Sequence, residues 1–323
     1  MSGYLRELTE SVGSGWNRFW YAPIDPLPCA VLRIAVGLLV IGHLLMLTPG
    51  LDRWHSSEGL LSPQVVTAAL IADSDRTAWH PSYFAHLGPL ESRIAHGLAI
   101  AAAVAFAAGL FSRVTGLVTL AALLACFHRL PLVAGQAEPV LIFLVAYLCI
   151  GPSGARLSVG RWLAQRQNPL EEAPVQPSYR ATLSLRMIQV HLAVFVAIMG
   201  LTKLNGDAWW QGEAIWNLLA QTHSRPLDLT WLRNYELVVN FWTHAVVFYE
   251  LAFPVLIWNR LARPILLAAG TLVWLSIILA TGLLLFGLTM IVAMLAFVPA
   301  DFYRGLLPAR SSTNSAATTI SVR

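Results

Sequence analysis

Gly200-Leu201-Thr202-Lys203-Leu204-Asn205-Gly206-Asp207-Ala208-Trp209-Trp210-Gln211-Gly212 closes an apolar run that begins near residue 183. Lys203 is the only lysine in the chain; every other cation is an arginine. An ionisable side chain at the end of a run long enough to cross a bilayer marks either a functional position or a snorkelling anchor, whose stem lies along lipid while its ammonium reaches the headgroups. Arg186, Gln189, Ala193, Val196, Gly200 and Lys203 recur at steps of three and four, so they share one helical face. That stripe turns Lys203 toward a bundle interior.

The rest of the chain fits this reading. It is 57% hydrophobic and 12% charged, with a mean hydropathy of +0.63; a soluble domain carries roughly 25% charged residues. The expected class is therefore all-α, a polytopic integral membrane helix bundle whose surroundings are membrane lipids. The net charge of +4 does not point to nucleic acid, because the arginines lie in connections between apolar runs, where they set membrane orientation. Cys29, Cys126 and Cys149 fall in or beside apolar segments and read as small buried residues. The scattered histidines show no HxxxH or HExxH spacing, so no metal site is expected, although His55, His80 and His128 have the freedom to meet in space.

Apolar run lengths predict about eight spans: 30–47, 94–110, 114–127, 140–150, 183–204, 237–258, and a long uncharged stretch, 265–298, split near Thr281-Gly282. Residues 1–28 form an N-terminal interfacial segment, with Trp16 and Trp20 at headgroup level. Residues 29–300 form the transmembrane domain and 301–323 a flexible C-terminal tail. The long 48–92 connection has room for short interfacial helices. Residues 151–180, with Glu171-Glu172, are the most hydrophilic stretch, and 205–236 form a tryptophan-rich interfacial connection. With eight spans, twelve cations fall on the face holding the termini and seven on the other, leaving out Arg33 and Arg186 as intramembrane. The positive-inside rule then makes both termini cytoplasmic. The 48–92, 128–139 and 205–236 connections gather on the outer face.

Two further ionisable residues stand inside apolar runs. Glu250 falls about halfway along the sixth span and needs a partner or a proton; Arg33 and His43 of the first span are the candidate partners. Arg33 itself reads as turned inward, either toward a cavity or paired with a neighbouring helix. Asp207 and Glu213 are placed either at the mouth of a cavity or as solvated loop residues.

The order of motifs resembles the HTTM family, the membrane domain shared with vitamin K-dependent gamma-carboxylase. It runs from Trp16-Asn17-Arg18-Phe19-Trp20 through Asp25 and Leu32-Arg33-Ile34 to Gly109-Leu110-Phe111-Ser112-Arg113. Gly151-Pro152 with Leu157-Ser158 follow, and then Gly200-Leu201-Thr202-Lys203-Leu204 with Trp209 or Trp210 and Gly212. Each motif is loose; their order is specific, and together they cover residues 16–300. The resemblance implies a lyase-like or quinol-oxidising membrane enzyme with Lys203 as catalytic base. Vitamin K hydroquinone or another quinol would be its cofactor or substrate, with Arg33, Trp209, Trp210 and Glu250 shaping the site. It also implies an integral protein of a bacterial inner membrane. Two departures stand out: Gly135-Gln136-Ala137-Glu138 replaces the carboxylases' Asn-Asn-His, and no long region follows the last span. Glutamate carboxylation of a protein is therefore not expected. The alternative is a non-catalytic membrane component for peptide or toxin maturation, export or lipid binding.

Overall fold

Each apolar run of the sequence becomes a helix. A backbone away from water must satisfy its own hydrogen bonds, and a helix does so within one segment. The computed structural model describes residues 2–74, 80–131, 134–167, 174–221 and 226–306. Trp79, Glu171-Glu172 and residues 307–323 of the expected tail lie outside them. Eight helices build the bundle: α1 (Leu27–Leu47), α2 (Pro89–Ala108), α3 (Ser112–Arg129), α4 (Ala137–Ile150), α5 (Tyr179–Lys203), α6 (Glu236–Leu256), α7 (Ala262–Thr281) and α8 (Leu284–Met294). No strand forms among the described residues, only an isolated bridge between Ile24 and Ser178.

Successive helices pack side by side from α1 to α8, and α8 returns against α1 and α4 to close the ring. Gly37 allows a close approach of α1 to α2: a Cβ there would lie 2.6 Å from Ala107 Cβ, the small-residue contact that membrane helices use. α7 stops at Gly282, whose φ of 73° no β-branched residue adopts readily. This is the break expected near Thr281-Gly282.

Contacts assign the connections to two ends. Cys29 near the start of α1 meets Ala181 near the start of α5, and Gly151 after α4 meets Ser184. Gly154 meets Ser112 at the start of α3, and Trp258 after α6 packs on Phe19 and Phe297. At this end Arg156 and Arg304 both clasp Asp25, so it is called the Asp25 end. Desolvation opposes the charge of Asp25, but the hydrogen bond from Arg304, the Leu27 N–H and the charge of Arg156 outweigh it and hold the carboxyl below its ordinary range. The opposite, Lys203 end carries the 48–92 connection, the end of α3 and residues 204–236.

Five helices are long and apolar enough to cross a membrane: α1 with its continuation to Trp54, α2, α5, α6 and α7. A sixth span results if Leu284–Phe297 is joined to Ala300–Leu306 across a 105° bend. The eight expected segments are thus all helical, but three fall short of that standard for physical reasons. α3 carries Arg113 and His128-Arg129 at its ends. α4 has 14 residues, about 21 Å of rise. α8 ends at a sharp bend. The flexible-tail expectation also changes, because Ala300–Leu306 is a helix tied back by Arg304 to Asp25.

Before α1, Ser2–Tyr21 is helical, as the interfacial reading expects. Its Phe19 and Trp20 pack together, the Arg186 guanidinium lies 4.3 Å over the Phe19 ring, and Trp16 is exposed. The 48–92 connection carries the short helices Leu51–Trp54 and Pro63–Ser74 and a 3-10 turn at Tyr83–His86.

Candidate functional site

The stripe on α5 faces its neighbours as its spacing dictates. Arg186 donates to Gln189, which donates to the carbonyl of Ala296. Ala193, Val196 and Gly200 are buried. At Gly200 the missing side chain brings α6 close: a Cβ there would lie 3.1 Å from Glu250 Cβ and 3.1 Å from Leu251 Cδ2. One turn further on, Lys203 reaches over this contact to Glu250. Its ammonium donates to Oε1 at 2.8 Å and lies 2.7 Å from Oε2. The ammonium thus faces both carboxylate oxygens of Glu250. The Glu250 side chain is 2% exposed and that of Lys203 15%. The ammonium also sits 5.0 Å from the centre of the Trp209 ring, within cation–π range.

Beyond the pair, the 204–236 connection forms a cap on the outer part of α6. Ala214–Leu219 and the 3-10 turn Thr230–Asn234 pack on the extension of α6 and on α7, with Ile215, Leu219, Leu232, Val239 and Ala280 as their shared core. The cap is pinned by Thr243, which donates to the carbonyl of Gly212, and by Asn240, which donates to that of Gln211. Trp210 is mostly exposed, and its indole N–H donates to the carbonyl of Leu204. Of the two tryptophans, Trp209 is the one within cation–π range of Lys203. Asp207 is exposed, while Glu213 lines a polar cavity of about 510 Å³ with Arg233, Glu236 and Asn240.

Glu250 is partnered, but not by the residues its position suggested. Arg33 lies at the Asp25 end, and the rise of α5 between Ala181 and Lys203 alone is about 33 Å. Its fully buried guanidinium donates to the carbonyls of Ala107, Ser153 and Leu157. Arg33 thus braces two connections and takes no part in the Lys203 site. His43 is also elsewhere. It lines a cavity of about 260 Å³ at the Lys203 end with His55, Glu138, Trp54 and Cys126. In that cavity His55 Nδ1 and Glu138 Oε2 lack partners among the described residues. Burial pushes the His55 imidazole down to about 4, with Arg129, His96 and His43 adding to the effect. His80 and His128 do meet, with ring centres 5.9 Å apart, but His55 instead packs on Phe84.

The two places share one level. Tyr147 on α4 and His191 on α5 are hydrogen-bonded at 2.9 Å. Nine residues toward the Lys203 end on each helix stand Glu138 and Gly200, both about 13 Å further along. Neither this cavity nor the polar one is lined by Lys203 or Glu250. No single residue signalled the His43–Glu138 cavity in the sequence, because it is assembled from α1, the 48–92 connection, α3 and α4.

No protein-family model matches the chain, and neither a curated protein nor a solved structure does. The site geometry therefore carries the functional argument.

Proposed function

We propose that the chain is an eight-span integral membrane protein of the HTTM type, with the Asp25 end cytoplasmic and the Lys203 end outside. In this reading it acts on a lipid-soluble quinol at the outer end, with Lys203 as the base. The observation that carries it is the buried Lys203–Glu250 pair. A lysine serves as a base only after losing its proton, and Glu250 Oε1, 2.8 Å from Nζ, is an acceptor placed to take it. The free amine then accepts a proton at Nζ from a hydroxyl brought to it. Trp209 supplies a face for a flat ring beside the ammonium. A quinol would bring the acidic O–H and two electrons, and dissolved dioxygen would accept the electrons with two protons, leaving quinone and hydrogen peroxide.

The fit is in the donor set: the pair is buried and lines neither the His43 cavity nor the Glu213 cavity. Entry of a ring requires Trp209 and the segment before Gly212 to move aside. The second reading is a non-catalytic component in maturation or export. Its support is the polar cavity lined by Glu213, Arg233 and Glu236, whose charges suit a peptide. Oxidation of vitamin K hydroquinone by the protein in nanodiscs separates the two readings: absence of turnover across several quinols leaves the non-catalytic one. Topology is tested separately with cysteines placed at Arg166 and Asn234. The first should label only from the cytoplasm and the second only from outside; the reverse pattern rejects the orientation.

A further inference from the structure

The Asp25 end holds a second site built from motifs that the quinol reading leaves unused. A cavity of about 450 Å³ lies between Gly109–Val114 and Gly151–Arg161. It is open to the surface, and no carboxylate lines it. Two helices begin there. In the first turn of α3 the earliest backbone bond is from Val114 N–H to the carbonyl of Phe111, so the amides of Ser112 and Arg113 are left for another acceptor. The helix Val159–Gln167 starts at the opposite wall. The positive ends of both helix dipoles thus converge on one space.

Helix ends alone do not define a site, but two buried hydroxyls also line this cavity unpaired. Ser112 is 8% exposed and Ser153 1%, and neither Oγ has a hydrogen-bond partner among the described residues. A buried hydroxyl without a partner is costly, so each is a donor awaiting an acceptor. Charge points the same way. Arg33 stands behind the wall, within 2.8 Å of where a Cβ on Gly109 would lie. All its donors go to carbonyls, and no carboxylate neutralises it among the described residues. Arg113 is at the mouth, exposed and without an ion-pair partner among the described residues. Arg161 lines the same cavity.

We infer that this cavity binds a phosphate group, held by Ser112, Ser153, Arg113 and the first amides of α3. Helix N-termini, hydroxyls and guanidinium make the usual donor set for such an anion. The phosphate has two sources, the head of an anionic phospholipid or free phosphate. Exposed Phe111, Val114 and Leu157 beside the cavity provide an apolar rim along which acyl chains can lie.

The test uses the full chain in phosphatidylcholine nanodiscs. Dihexanoyl phosphatidic acid, dihexanoyl phosphatidylcholine and inorganic phosphate are each titrated by microscale thermophoresis. Phosphatidic acid should bind at least about tenfold tighter than the choline lipid, the scale of one charge-assisted contact. Arg113→Gln and the double variant Ser112→Ala/Ser153→Ala should each remove most of that preference with an unchanged melting temperature. Arg113→Gln is the safer variant, because its side chain is exposed. Arg166→Gln, which removes an arginine stacked on Trp162 outside the cavity, should have no effect. Displacement by millimolar inorganic phosphate identifies free phosphate as a sufficient ligand, and resistance to it identifies the lipid. No preference for phosphatidic acid together with no phosphate binding overturns the proposal. An Arg166→Gln loss as large as that of Arg113→Gln does the same, because it reduces the effect to general surface charge.

Discussion

Glu250 lies directly beneath Lys203 because Gly200, one turn before the lysine, has no side chain to hold α6 away. The pair is therefore a property of helix contact as much as of charge. A Cβ at Gly200 meets Glu250 Cβ and Leu251 Cδ2 at 3.1 Å, tight enough to demand a small shift. Gly200→Ala should lower the melting temperature slightly. Gly200→Leu, by prying α5 from α6, should cost about 1–3 kcal/mol, the range for overpacking. Thermal unfolding in detergent measures both. Equal stability of the leucine variant would mean that the helices do not approach as described.

The pair itself is tested by truncating its members singly and together. Lys203→Met or Glu250→Leu strands one buried charge, and a stranded charge costs about 3–5 kcal/mol in protein interiors. The double variant strands none and should recover most of the loss. Thermal unfolding of the four proteins forms a cycle; purely additive effects would show that the two side chains do not interact.

Much of this is legible in the amino-acid sequence, and the limits have physical causes. Apolar run lengths located all eight bundle helices, and Gly282 sits where the long uncharged stretch had to break. Lys203 and Glu250 each stood out because a charge inside an apolar run is conspicuous. Their pairing did not, since it depends on α5 and α6 being neighbours with Gly200 at the crossing. Arg33 follows the second of its two readings, a brace to neighbouring segments, but with partners that no spacing marks. Its guanidinium donates to the carbonyls of Ala107, Ser153 and Leu157 and not to Glu250, and carbonyls are acceptors that every residue carries and no sequence pattern marks.

Arg33 should accordingly behave as a structural brace. Arg33→Lys keeps the charge but loses the planar fork that reaches carbonyls on two connections. The expected outcome is a clear fall in melting temperature with no change in the apparent affinity for a quinol at the Lys203 end. A changed affinity at unchanged stability would return Arg33 to the site.

Stability should depend on pH through His55. Its imidazole is 6% exposed, and burial lowers it from 6.5 to about 4. In the unfolded chain it takes up a proton near 6.5, while in the fold it stays neutral until about pH 4. The unfolded state therefore binds more protons between these values, and acid favours unfolding. The contribution of His55 is fully present above about pH 6.5 and is lost as pH falls toward 4, about 3 kcal/mol in all by linkage. His55→Gln should flatten the melting-temperature profile across that window. An unchanged slope would assign the dependence to other groups.

The sharpest test of mechanism is Lys203→Arg, because the structure separates the two things lysine does. An arginine can still pair with Glu250, so the variant should insert and melt close to the wild type. Its guanidinium stays protonated at any working pH and cannot serve as a base. Lys203→Ala removes both functions and leaves Glu250 alone, so its loss of activity is confounded by lost stability. The comparison that decides is therefore turnover in Lys203→Arg at matched folding. Oxidation of vitamin K hydroquinone in nanodiscs, with and without bicarbonate, supplies the rate. Turnover should be abolished in the arginine variant, and bicarbonate should make no difference to the wild-type rate. Glu250→Gln should also be slow, because an amide cannot take the proton that Nζ must shed. Wild-type turnover in Lys203→Arg would reduce the lysine to a positive anchor and leave the ion pair with a structural role only.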